Sequence, residues 1–177
     1  MRALFVDCDT EVTRKVMEIN FLGAVYCTKY ALPSILDHHG TVVGISSTAG
    51  YRGLPGRTAY SASKFALQGW LEALRTELLH SGVNVMWVCP GFTASNIRLA
   101  ALDNHARARG ESALDEGSLM TASACALHIT RAISRRRRTV VLTLLGKVTV
   151  LINKVAPALA DRLTYRHYYN RKGEFVK

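Results

Sequence analysis

The chain has 177 residues, of which 49% are hydrophobic, and it carries a net charge of +10. This length and hydrophobic content predict one globular domain, and the lack of an apolar run of about 18 residues argues against a membrane-spanning helix. The four cysteines form no C-x-x-C pair and acidic residues interrupt the N-terminal stretch, so a cytoplasmic protein with reduced thiols, no metal site and no signal peptide is expected.

The whole net positive charge lies in the C-terminal 47 residues of the chain. Residues 1–130 hold eleven lysines and arginines against eleven acidic residues, whereas residues 131–177 hold twelve against Asp161 and Glu174. This split predicts two parts, an α/β domain over residues 1–145 and a basic, amphipathic helical tail over residues 146–177.

The first predicted helix begins at an N-cap, Asp9 or Thr10, and runs to about residue 36, with Pro33 bending it. Its expected apolar stripe consists of Val12, Val16, Ile19 and Leu22. Asn20 lies in the middle of this helix, where a polar side chain needs either solvent or a specific role.

A strand follows over residues 41–46, because a short run rich in branched residues and bounded by glycines is typical of a buried strand. Ser47 stands at its C-terminal end. The glycines and proline between residues 50 and 56 predict a loop, and a helix over residues 60–80 has leucines at helical spacing. Tyr60 and Lys64 are four residues apart and therefore share one face of this helix.

This pairing has a chemical use. A phenol titrates near pH ~10 in water, which is too high for acid–base work at neutral pH. A lysine ammonium one turn away stabilises the phenolate form, and a general acid–base works best when its pKa lies near the working pH. Ser47 would lie at the edge of the sheet where open α/β folds bind ligands, so its hydroxyl could hold a carbonyl or alcohol oxygen beside Tyr60.

A second buried strand is predicted over residues 83–89 and ends at Pro90 and Gly91. Residues 92–119 show no long pattern, and His105 within them is expected at the surface. A helix capped by Thr121 or Ser123 should run to Ser134, followed by a third strand over residues 139–143. The expected inward residues of the helix that ends at Ser134 are Ala124, Leu127 and Ile133.

The run from Arg135 to Arg138 favours the dipole of the preceding helix and needs no ligand. No zinc spacing, recognition-helix pattern or interleaved aromatic residues accompany it, so no nucleic-acid partner is expected. In the tail, Pro157 should end one helix and begin another. The tail's apolar face is Val148, Leu151, Ile152, Val155, Leu159 and Leu163. Two interpretations stay open: the helix pair covers a substrate pocket or a neighbouring subunit, or it lies on an anionic membrane surface.

Four motifs, in this order and spacing, resemble the short-chain dehydrogenase/reductase family. They are Asn20 within MEINFLGAVYCT, Ser47 thirteen residues before Tyr60, the YSASK segment ending at Lys64, and a P-G-x-x-x-T-like segment at residues 90–95 with Ser95 in place of threonine. The resemblance implies reversible hydride transfer between NAD or NADP and a small-molecule alcohol or ketone.

The resemblance also implies residue roles. Tyr60 would donate or accept the proton, Lys64 would activate it and hold the nicotinamide ribose, and Ser47 would orient the substrate oxygen. Asn20 would shape a local kink and support a proton relay. The implied cofactor contacts are Tyr60, Lys64, Pro90, Gly91, Phe92, Thr93 and Ser95. Residues 92–120 would form a substrate lid, and the helices at 10–36 and 60–80 would pair in a homo-oligomer.

One departure from the family pattern bears on function. The family opens with a glycine-rich T-G-x-x-x-G-x-G turn for the cofactor pyrophosphate, followed by the residue that selects NAD or NADP and an N-N-A-G strand, and these motifs are absent here. The chain therefore resembles the C-terminal portion of a Rossmann-like α/β fold, in which a doubly wound parallel sheet is the middle of three α/β/α layers. Two functions stay open, an oxidoreductase whose start lies upstream, or a non-catalytic remnant acting as an interaction or dimerisation module.

Overall fold

The computed structural model describes residues 2–108, 110, 117 and 119–176, with the backbone alone at Arg98. Six α-helices and three β-strands organise these residues. In chain order they are α1 (Thr10–Met17), α2 (Gly23–Asp37), β1 (Thr41–Ile45), α3 (Thr58–Glu77), β2 (Asn84–Cys89), α4 (Ala122–Ser134), β3 (Thr139–Val141), α5 (Leu144–Val155) and α6 (Pro157–Tyr168).

The strands form one parallel sheet in the order β1-β2-β3, with α3 and α4 as the crossover helices. Gly44 and Thr139 both pair with Trp87 of β2. This confirms the predicted α/β sheet. The third strand ends two residues earlier than predicted, because the Thr143 hydroxyl accepts a hydrogen bond from Gly146 N and begins α5. Within the described residues, no strand pairs with the other edge of β1.

Helices cover both faces of the sheet, which confirms the predicted three layers. On one face Leu67 and Leu71 of α3 pack against Val42 and Val85. On the other face Ala132 of α4 packs against residues of β2. Parallel strands buried on both faces form near-continuous apolar runs, as residues 85–89 of β2 do.

The first predicted helix is present, but its middle is a π-helical turn, Glu18–Leu22, between α1 and α2. Pro33 lies within α2, as expected. Val12 and Val16 are buried, whereas the inward position predicted for Ile19 is wrong, since this side chain is exposed. Four residues after Val16, the same helical face continues with Asn20 instead of Ile19. This face is turned towards α3, where Asn20 bonds to Ser63.

The predicted α4 is confirmed, with Thr121 as its cap, but Leu127 is exposed instead of inward. The buried residues of α4 are Cys125 and Ala132, seven apart along one face, and Leu127 lies off that face. Two of the following arginines bond to the fold itself. Arg136 donates to the carbonyls of His39 and Gly82, and Arg138 pairs with Glu72 at 3.3 Å.

Pro157 begins α6 directly after α5, as predicted. The Arg52 guanidinium fixes this helix pair to the domain by donating to Asn153 and pairing with Asp161 at 2.5 Å. Asn153 also donates to the carbonyl of Tyr51 at 2.8 Å. None of the described helices has the length and apolar character needed to cross a membrane.

Gly44 of β1 lies directly against Leu71 of α3. A Cβ added at Gly44 would lie 2.3 Å from Cδ1 of Leu71. We expect Gly44→Ala to lower the free energy of unfolding by about 1–3 kcal/mol, because overpacking displaces a core leucine.

Denaturant unfolding of this variant, followed by circular dichroism, measures the loss. The matched control is Gly69→Ala in the interior of α3, where an added Cβ meets nothing within 4 Å. This control should stabilise by about 0.5–1 kcal/mol, since alanine favours helix over glycine. Equal effects of the two substitutions would contradict the packing of Leu71 on β1.

Candidate active site at the carboxyl edge of the sheet

The carboxyl ends of the three parallel strands meet at one edge. Ser47 follows β1, Pro90 follows β2 and Thr143 follows β3. The segments after β2 and β3 lie against each other, since a Cβ on Gly91 would lie 2.5 Å from Cγ2 of Thr143. Gly91 also has φ +86°, a conformation that favours glycine. This edge is where open α/β sheets bind ligands.

Ser47 caps a single 3-10 turn, Thr48–Gly50, which leads into the loop predicted over residues 50–56. Its hydroxyl accepts a hydrogen bond from Ala49 N at 3.1 Å. The hydroxyl of Ser47 is therefore oriented by the local backbone at the end of β1. No hydrogen bond links it to the Tyr60 hydroxyl among the contacts of the described residues.

Tyr60 lies in the first turn of α3, which begins at Thr58, two residues earlier than predicted, and ends at Glu77 instead of near residue 80. The Nζ atom of Lys64 is 5.7 Å from the centroid of the Tyr60 ring, which agrees with the predicted shared face. The same Nζ donates to the carbonyl of Ile45 at 2.9 Å. Lys64 thus links the tyrosine to the strand end that precedes Ser47.

Burial lowers the pKa of Lys64, and the charge that Cys89 would carry as a thiolate acts in the opposite direction. Burial raises the pKa of the Cys89 thiol to about 12, although a hydrogen bond with Ser46 and the charge of Lys64 act in the other direction. Cys89 is therefore a neutral thiol at physiological pH. It places no negative charge beside the ammonium.

Asn20 lies in the π-helical turn, so a local distortion occurs at the position where the resemblance implied a kink. Its Nδ2 atom donates to Oγ of Ser63 at 3.1 Å, and Ser63 Oγ donates to the carbonyl of Tyr60 at 2.7 Å. Through Ser63, Asn20 is connected to the backbone of the tyrosine. The extra residue of a π turn often marks a functional position.

Gln68 is a site residue that the sequence analysis missed. It is buried on α3, and its Nε2 atom donates to Ser46 Oγ at 2.8 Å and to the carbonyl of Ser47 at 3.3 Å. Gln68 therefore holds the end of β1 against α3. The available signal was an amide one turn after Lys64, between two buried leucines, since a polar group there needs a partner.

The segment predicted to contact the cofactor leaves the same edge after β2. Pro90 is partly buried, and Gly91 and Phe92 are exposed. Thr93 pairs with Met120 as a parallel bridge, and Ser95 Oγ accepts from Ile97 N at 3.4 Å. The segment is thus joined to the end of the predicted lid. Residues 109, 111–116 and 118 of that lid lie outside the described residues.

A cavity of about 600 Å³ lies elsewhere, between the loop after β1, the start of α3 and α6. Its described lining includes Arg52, Phe65 and Tyr165, and it contains none of Ser47, Tyr60 and Lys64.

His105 pairs with Asp9 at 3.1 Å, and both side chains are exposed, as expected for a surface histidine. Among the described residues, no three His, Cys, Asp or Glu side chains gather as metal ligands.

A parallel sheet between two layers of helices, with these side chains at its carboxyl edge, defines a Rossmann-like α/β protein. Residues 2–106 match the family model of the short chain dehydrogenases, and the chain belongs to that family. It is 35% identical over 166 residues to dehydrogenase/reductase SDR family member 7B of Mus musculus, covering 92% of this chain and 51% of the mouse protein. It is 34% identical over 160 residues to the SDR family protein 7-like of Dictyostelium discoideum, covering 89% and 48% of the two chains.

Solved structures show the same fold. A short chain dehydrogenase from Burkholderia cenocepacia in complex with NADP superposes with a TM-score of 0.72 at 21% identity, covering 88% of this chain and 60% of that one. A short-chain dehydrogenase from Sphingobium yanoikuyae in complex with NADPH gives a TM-score of 0.67 at 19% identity, covering 91% and 61%. The chain spans about half the length of the curated relatives it matches.

Proposed function

We propose that this protein is an oxidoreductase that moves a hydride between a nicotinamide dinucleotide and an alcohol or ketone. The observation that carries the proposal is the position of Lys64. Its Nζ atom lies 5.7 Å from the centroid of the Tyr60 ring and donates to the strand end two residues before Ser47. A phenol, an ammonium and a hydroxyl at the ligand-binding edge are the groups that carbonyl reduction needs.

In this proposal each side chain has one task. The Tyr60 hydroxyl gives its proton to the carbonyl oxygen during reduction and takes it back during oxidation. The Lys64 ammonium stabilises the phenolate that forms. Ser47 donates its hydroxyl proton to the substrate oxygen and so orients it. Asn20 supports the backbone of Tyr60 through Ser63 and the proton relay behind Lys64.

The residues present fit the nicotinamide end of a dinucleotide. The amine donors of Lys64 can bind ribose hydroxyls together with Tyr60, and the segment after β2 offers exposed surface at the same edge. Its proposed contacts are Pro90, Gly91, Phe92, Thr93 and Ser95. When bound, the dinucleotide supplies the hydride. The complexes of two solved relatives with NADP and NADPH support this cofactor class, and the choice between NAD and NADP stays open.

The test is oxidation of NADH or NADPH by a panel of ketones and aldehydes, followed by the absorbance of the reduced nicotinamide. We expect turnover with at least one carbonyl compound when the family's glycine-rich turn is supplied upstream of this sequence, and loss of that turnover when Tyr60 is changed. A folded protein that binds neither dinucleotide and reduces no carbonyl would overturn the enzymatic function. It would favour an interaction or dimerisation module instead.

One observation favours such an oligomer, with or without catalysis. Exposed apolar side chains repeat along the first helix at Ile19, Tyr26 and Tyr30, and Phe65 of α3 is also exposed. The spacing of four residues places Tyr26 and Tyr30 on one face of α2, and Ile19 lies in the π-helical turn that precedes this helix. We propose that these helices pair with a second copy of the chain. The proposed location of the protein is the cytoplasm, with the tail in contact with a membrane surface.

We expect Tyr30→Glu to raise the dissociation constant of the homodimer about tenfold or more, because Tyr30 is 86% exposed in one chain and a charge there would be buried in a dimer. Sedimentation velocity measures the constant. The control is Val6→Glu, which changes an equally exposed side chain outside the two helices. A wild-type monomer, or equal dissociation constants for both variants, would reject this interface.

A further inference from the structure

An apolar face of α5 is turned away from the domain. Leu144, Val148, Leu151 and Val155 recur at spacings of four, three and four residues and are 77%, 42%, 60% and 70% exposed. These four residues are called the α5 stripe. The spacing is that of a single helical face.

The face of α5 turned towards the domain includes a small residue, Gly146, and a polar one, Asn153, beside the partly buried Val150 and Ile152. Gly146 is buried, and a Cβ there would lie 3.0 Å from Cγ2 of Thr48 and 2.9 Å from Cγ1 of Val141. Asn153 bonds to Tyr51 and Arg52. The helix therefore contacts the domain through residues that include Gly146 and Asn153, and the α5 stripe is left on the outward side.

The charge around the α5 stripe is positive. The exposed Lys147 and Lys154 lie beside it, and α6 continues the pattern with two exposed leucines next to Arg162 and Arg166. Asp161 is the sole acidic residue of the two helices, and its carboxylate pairs with Arg52 at 2.5 Å. No carboxylate of α5 or α6 is left to balance these four basic side chains.

We propose that the α5 stripe docks on an anionic lipid bilayer. An apolar face flanked by lysines lies in the plane of a membrane interface, with the leucines among the acyl chains and the ammonium groups at the headgroups. A second copy fits less well, because pairing two stripes would bring lysines together without acidic partners. A nucleic acid would match the charge but not the exposed leucines.

Docking would place the ligand-binding edge close to the bilayer. Gly146 in the first turn of α5 lies against Thr48, which follows Ser47 in the chain. Thr143, which caps α5, lies against Gly91. The inference does not depend on catalysis. Vesicle binding and carbonyl reduction are read out separately, so either can fail without the other.

The test is sedimentation of the whole chain with vesicles of phosphatidylcholine containing one third phosphatidylserine, compared with pure phosphatidylcholine. We expect binding to the anionic vesicles that weakens with salt. Leu151→Glu with Val155→Glu should lower the partition coefficient at least tenfold. Lys147→Gln and Lys154→Gln should each lower it by up to about fivefold.

Leu79→Glu is the matched control, because Leu79 is 66% exposed and lies beyond the end of α3. It should bind like the wild type. The proposal is overturned if the wild type stays in solution with anionic vesicles, or if the stripe variants bind as the control does. It is also overturned if Leu151→Glu abolishes self-association in the absence of lipid, which would assign the stripe to a second copy.

Discussion

Replacing Tyr60 by phenylalanine should lower the rate of carbonyl reduction by about 10²–10⁴-fold, the range that general acid–base catalysis contributes. The substitution removes the transferable proton and keeps the ring, which lies 5.7 Å from the ammonium of Lys64. The fold should survive, since the backbone carbonyl that accepts from Ser63 is unchanged. The measurement is turnover with saturating dinucleotide and a carbonyl substrate.

Tyr26→Phe is the matched control, because it removes the same hydroxyl from an exposed tyrosine of α2. This control should retain the wild-type rate. If a folded Tyr60→Phe protein turned over within a few-fold of the control, Tyr60 would not be the proton donor, and the proposed mechanism would be wrong.

Replacing Lys64 by methionine should have opposite effects on activity and stability. Activity should fall by at least about 10²-fold, because the group that stabilises the phenolate is lost. The melting temperature at neutral pH should rise, because burial lowers the pKa of Lys64 and so opposes its charged form in the folded state. The lost hydrogen bond to Ile45 offsets part of this gain.

The sign of the pH dependence follows from the lowered pKa. Below the folded-state pKa of Lys64, the ammonium is charged in both states and its burial costs stability. As the pH rises from that pKa towards the unfolded value near ~10.4, the folded lysine loses its proton first and the penalty disappears. The difference in melting temperature between Lys64→Met and wild type should therefore shrink with rising pH.

Lys172→Met serves as the control, since Lys172 is exposed near the C-terminal end. Its melting temperature should follow the wild type at every pH. A Lys64→Met protein that melts below the wild type at neutral pH, with no change in the difference at alkaline pH, would show that the ammonium stabilises the fold instead.

Much of the site was predictable because it depends on local periodicity. Two residues four apart on a helix share a face in any context, so Tyr60 and Lys64 were placed together from the sequence alone. Ser47 at a strand end and Pro157 at a helix start follow equally from short-range rules. The parallel sheet also followed, since strands separated by helices pair through crossovers.

Other features depend on surfaces brought together from distant parts of the chain. Asn20 donates to Ser63, which is 43 residues away, and Gln68 bonds to the end of β1, 22 residues before it. Periodicity states that a helix has an apolar face but not which neighbour covers it. For this reason the outward positions of Ile19 and Leu127, and the α5 stripe facing away from the domain, were decided only by the tertiary structure.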